Sequence, residues 1–123
     1  MDLETCYAVF GGDLEGVRGR LLSDDRITRF AKAFLEDPTY DNLIKTLEEG
    51  NMAEAFRAAH TLKGTSRDLG LTPIYGPATE LADMLRPDAD GNPTGPMDQV
   101  PAKLQEVITA YTDTADALAA LDA

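Results

Sequence analysis

His60 is the only histidine in the chain, and the charges around it break with the rest of the sequence. Arg57, Lys63 and Arg67 surround it, although the chain's 11 Lys and Arg are outnumbered by 22 Asp and Glu. On a helix turning about 100° per residue, Lys63, Gly64 and Arg67 fall within about 60° of His60, and Arg57 lies on the same side one turn earlier. Imidazole is a nucleophile that is largely neutral near pH 7, and a phosphoryl group in transit spreads charge over oxygens that ammonium and guanidinium donors hold well. A nucleophile with three cations in an acidic background is a place for a phosphate. The competing readings have less to build on. One histidine and one cysteine, Cys6, do not make a tight transition-metal site, and a hydrolytic triad lacks its parts. A general base would need a partner acid, and no Gly-rich phosphate loop points to a nucleotide site of the chain's own.

Gly64 adds to the pattern. Glycine inside a helix costs about 1 kcal/mol relative to alanine, so a position one turn from the histidine that keeps it needs a reason. Clearance for a partner's backbone beside the imidazole is one reason, and close helix packing is the other. Gly64 lies off the apolar stripe, which favours clearance.

These residues need a helix to hold them, and the sequence supplies its ends. Asn51 can cap it, with Glu54 in a box-like position, and Gly70 suits a left-handed stop, so a helix is predicted over about 52–69. Met52, Ala55, Ala59, Leu62, Ser66 and Leu69 form its core stripe. Ile27, Phe30, Ala31, Phe34 and Leu35 predict a preceding helix that Asp37-Pro38 interrupts, and Tyr40, Leu43, Ile44 and Leu47 predict a short one ending at Gly50. Thr72-Pro73 reads as an N-cap with proline at the first helical position of a helix carrying Leu71, Ile74, Ala78, Leu81, Ala82 and Leu85, with Pro77 as a tolerated kink. Residues 87–98, rich in proline and glycine, predict a flexible loop without the ligand spacing of a calcium loop. Val100, Leu104, Val107, Ile108, Tyr111, Ala115 and Leu118 predict a last helix over about 99–121.

No repeat and no convincing strand appears, so the expected fold is all-α: an up-down antiparallel four-helix bundle over about 25–122. Extra short N-terminal helices within about 1–24 should bury Leu3, Val9, Phe10, Val17, Leu21 and Leu22. A chain of 123 residues fits a single domain over 1–123. A net charge of -11 argues against nucleic-acid and anionic-membrane partners. A lone cysteine, no signal peptide and no long apolar run fit the cytoplasm, and a monomer is expected because no large apolar stripe is left unexplained.

The run Ala59-His60-Thr61-Leu62-Lys63-Gly64-Thr65-Ser66-Arg67-Asp68-Leu69-Gly70 resembles the signature of histidine phosphotransfer (HPt) domains, with His, Lys and two glycines at the family's offsets. The helix order is similar over most of the chain. The resemblance implies that His60 is phosphorylated on a ring nitrogen, that Lys63 and Arg67 neighbour the phosphoryl group, and that Arg57, Thr61, Gly64 and Asp68 meet the docking partner. It implies a carrier between a histidine kinase or receiver aspartate and another receiver aspartate in a two-component phosphorelay. The response-regulator receiver would supply the acceptor aspartate and the magnesium, and this chain no cofactor. A non-phosphorylated adaptor or inhibitor of the same architecture is the alternative. With no kinase or receiver segment in the sequence, a free-standing carrier is expected unless the chain is a fragment of a hybrid kinase. In one respect the sequence departs from some family members, which place Gln or Glu on the following helix to orient the imidazole. The comparable position here is Ala82, flanked by Glu80 and Asp83.

Overall fold

The computed structural model describes residues 1–122. Among them are seven α-helices: α1 (Leu3–Phe10), α2 (Leu14–Leu21), α3 (Asp24–Glu36), α4 (Thr39–Glu48), α5 (Met52–Asp68), α6 (Thr72–Leu85) and α7 (Val100–Ala119). α5, α6 and α7 run antiparallel to their chain neighbours. The fourth wall is shared by α4, against α5, and α3, against α7, with the break at Asp37-Pro38 between them. The all-helical bundle therefore stands as the sequence predicts, and α1 and α2 close it as short extra helices.

The apolar spacing builds the core. Ile27, Ala31 and Phe34 from α3, Leu43 from α4, Ala55, Ala59 and Leu62 from α5, Ile74, Leu81 and Leu85 from α6, and Val107 and Leu118 from α7 are all buried. Tyr111 of α7 stacks face to face on Tyr40, ring centroids 3.6 Å apart, and also meets Phe34, tying both halves of the divided wall to the last helix. Three expected core residues lie outside it: Val9, Leu22 and Phe30 are 63%, 83% and 52% exposed. Phe30 and Val9 sit just beyond the buried edges of their helices. Leu22 occupies the left-handed position that ends α2, which turns its side chain away from the bundle.

The ends of α5 are anchored. Asn51 Oδ1 accepts from the Glu54 backbone N–H at 3.3 Å, but the reciprocal half of the box is not made: Glu54 pairs with Arg57, and the Asn51 N–H donates to the Thr46 carbonyl. At the other end Gly70 takes φ +65°, and its carbonyl accepts from the Asp13 N–H. The Arg20 guanidinium donates to the carbonyls of Arg67 and Asp68, two of the acceptors a helix end leaves open. Tyr7 Oη donates to the Leu69 carbonyl at 2.8 Å. The helix that carries His60 is thus held by groups from α1, α2 and the α1–α2 turn.

α6 starts one residue earlier than its cap residues suggest. Thr72 is its first residue, Leu71 takes the N-cap position without a side-chain bond, and the helix continues through Pro77 to Leu85. Where the sequence predicts a flexible loop, residues 87–98 fold back in a hairpin-like turn and end in a short 3-10 turn, Met97–Gln99. The Asp88 carboxylate accepts from the N–H groups of Asp90 and Asn92, Thr94 bonds the Arg86 carbonyl, and Gly95 bonds that of Met84. The α-amino group of Met1 meets the Asp122 carboxylate at 2.9 Å and the Ala120 carbonyl, and the Asp122 N–H donates to the Met1 carbonyl.

Candidate functional site

Apolar residues on one face of α5 fix which of its residues look outward. Ala55, Ala58, Ala59, Leu62 and Ser66 are buried, and from Phe56 to Asp68 the other residues except Thr65 form two adjoining stripes at the i, i+4, i+7, i+11 spacing. Phe56, His60, Lys63 and Arg67 make the stripe that borders α6. Arg57, Thr61, Gly64 and Asp68 make the outer one, which leans towards α3 and α4.

On the first stripe His60 is exposed and Lys63 half-buried. Among the described residues Lys63 has no ion-pair partner, so its ammonium is available one turn from the imidazole. Arg67 lies about two turns from His60, its Nε 3.3 Å from Asp68 Oδ1. Arg57 pairs with Glu54 at 3.1 Å, which offsets part of the charge the sequence assigns to the site. The cationic cluster is therefore reduced in the resting state: Lys63 is free, and the two arginines are shared with neighbouring carboxylates.

The second stripe borders two grooves. Thr61 and Arg57 line one of about 390 Å³ against α4, with Lys45, Thr46, Glu49 and Glu54. Asp68 lines another of about 320 Å³ beneath Leu21, Phe30, Phe34 and Asp37. Between them Gly64 faces open space: a Cβ built on it meets nothing within 4 Å. Close packing of α5 therefore does not require this glycine.

Ala82, which the resemblance sets at the place of the imidazole-orienting residue of some family members, is fully buried in the core. Of its neighbours, Glu80 pairs with Lys103 of α7 and Asp83 with Arg86 at 3.0 Å. Among the described residues none of these, nor any other group, hydrogen-bonds the His60 ring. Its neighbour is Phe56, with ring centroids 5.9 Å apart and planes tilted by 32°. The Arg86 guanidinium stands 5.5 Å over the Phe56 ring. Sequence reasoning missed both residues. Phe56 had a signal, since it lies four residues before His60 on the same stripe, whereas Arg86 follows the end of α6 and reaches the site only through the packing of α6 on α5. Among the described residues no cluster of His, Cys, Asp and Glu is arranged to hold a metal ion, and no helix is long and apolar enough to cross a membrane.

The Hpt domain family model matches residues 23–122, and the chain belongs to that family. Comparison with curated proteins and with solved structures gives no match. Hpt domains are phosphocarrier modules of two-component signalling rather than catalytic enzymes, and they interact with receiver domains and kinases.

Proposed function

We propose that this chain carries a phosphoryl group on His60, received from a histidine kinase or a receiver aspartate and passed to another receiver aspartate. The observation that supports this reading most is the conjunction on α5 of an exposed imidazole, the unpaired Lys63 ammonium and the open position at Gly64. In the transfer a ring nitrogen of His60 attacks the phosphorus of the receiver's aspartyl phosphate. A P–N bond forms, the P–O bond to the aspartate breaks, and the aspartate leaves as its carboxylate while the second ring nitrogen keeps its proton; onward transfer is the reverse. Lys63 stabilises the charge on the phosphoryl oxygens, and Arg67 adds to it once released from Asp68. Gly64 admits the receiver's active-site loop, and Arg57, Thr61 and Asp68 contact the surface around it.

Magnesium and the acceptor aspartate belong to the receiver in this reading, and the chain needs neither a cofactor nor a nucleotide site of its own. It acts as a monomer in the cytoplasm. The test is transfer from phosphorylated receivers to the wild-type protein and to His60→Gln, read by intact mass as an acid-labile, base-stable label. Wild type gains one phosphoryl group and the variant none. A wild type that binds a receiver tightly yet stays unlabelled overturns the reading in favour of an adaptor.

A further inference from the structure

A nucleophilic imidazole has to be aimed, because transfer in line with a leaving group tolerates little error in ring direction. Free rotation about the two side-chain torsions of an exposed histidine works against that. Here no hydrogen bond from the described residues holds the ring. Its aromatic neighbour is Phe56, one turn below on the same stripe, at a centroid separation of 5.9 Å, within the range of attractive aromatic pairs. Phe56 is itself half-buried and is covered by the guanidinium of Arg86. Arg86 in turn is held by the Asp83 carboxylate across one turn of α6, and the Arg86 carbonyl is engaged by both the N–H and the hydroxyl of Thr94 in the turn that follows. A continuous set of contacts therefore runs from the end of α6 to the imidazole.

We propose that Phe56 and Arg86 are positioning residues for His60: Phe56 sets the direction of the imidazole through its ring face, and Arg86 acts through Phe56 by holding that ring against α5. The inference rests on the reading of His60 as the phosphoryl-accepting residue. A ring aimed by its face keeps both nitrogens free of acceptors, so one can attack while the other holds its proton without a carboxylate or amide to fix it.

The test compares Phe56→Leu, Phe56→Tyr, Arg86→Ala and the Phe56→Leu/Arg86→Ala double variant with wild type. Two donors are used, a phosphorylated receiver and phosphoramidate, which transfers its phosphoryl group to imidazole with loss of ammonia and needs no docking. Three-bond couplings across the His60 Cα–Cβ bond give a second readout by NMR, since they report the rotamer of the imidazole whether or not the ring is phosphorylated. Phe56→Leu should slow labelling from the receiver by about threefold to tenfold, leave labelling by the freely tumbling phosphoramidate near wild type and average the His60 couplings over rotamers, while Phe56→Tyr keeps all three near wild type. Arg86→Ala should have a smaller effect, and none in the Phe56→Leu background, because it acts through the ring it covers.

A wild-type rate from the receiver, or unchanged His60 couplings, in Phe56→Leu would overturn the proposal. A further loss when Arg86→Ala is added to Phe56→Leu would overturn the role given to Arg86, placing it on the phosphoryl group directly. If neither donor labels wild type, the carrier reading fails by itself, and the NMR comparison still decides whether Phe56 orients the ring.

Discussion

At the residue scale, Gly64 separates stability from function. Its Cβ position is empty, so alanine there meets nothing and recovers the helix propensity that glycine gives up, about 1 kcal/mol. Gly64→Ala should therefore raise the thermal midpoint, whereas Gly64→Leu should fold normally and still accept phosphate from phosphoramidate but slow transfer from a receiver at least tenfold. Thermal denaturation alongside the two labelling assays checks this, and a Gly64→Leu protein that exchanges phosphate with receivers at the wild-type rate would remove clearance as the explanation. His60, Lys63 and Gly64 were legible in the sequence because one helical period joins them. Phe56 lies in the same period but reads as an ordinary apolar residue, and its pairing with Arg86 depends on how α6 lies on α5, which no local pattern specifies. The charge of the site was overstated for a similar reason: Glu54 and Asp68, each within three residues of an arginine, draw Arg57 and Arg67 into ion pairs.

At the scale of elements, the position of α5 depends on how its last turn is received. Gly70 holds φ +65°, and a Cβ there would lie 2.5 Å from the Asp13 carbonyl oxygen and from the Val17 side chain. The left-handed conformation alone costs a non-glycine residue about 1–2 kcal/mol, and the backbone contact cannot be relieved by rotating a side chain. Gly70→Ala should lower the thermal midpoint by about 4 °C or more, measured by circular dichroism, where Gly50→Ala, with nothing within 4 Å, pays for its backbone alone. The helices themselves could be read from apolar spacing and from Asn51, Gly50 and Gly70. Harder to read were features decided by tertiary contact: Thr72 entering α6 instead of capping it, Phe30 left outside the core, and the turn after α6 closed by the Asp88 carboxylate and Thr94.

At the scale of the molecule, the bundle is closed at one end by a buried phenol. Burial pushes the Tyr7 hydroxyl up to about 12 from its ordinary 10.0, and it donates to the Leu69 carbonyl at the end of the helix that carries His60. A folded-state value above the unfolded one means that this contribution to stability is complete below pH 10.0 and is lost as pH rises towards 12. Tyr7→Phe should be less stable at neutral pH by about 1–3 kcal/mol, because the carbonyl loses its donor, yet show a shallower decline above pH 10.0. Urea midpoints across that range check both parts. Burial also raises Tyr40 and Tyr111, so some alkaline loss should persist in the variant. At the same end of the bundle Met1 is joined to Asp122 by an ion pair and one backbone hydrogen bond, and to Ala120 by a second hydrogen bond. The path of the backbone is thus nearly a closed ring. A short linker across that junction would leave the helix order intact, and the ring could be reopened at the exposed Gly91 without parting α5 from α6.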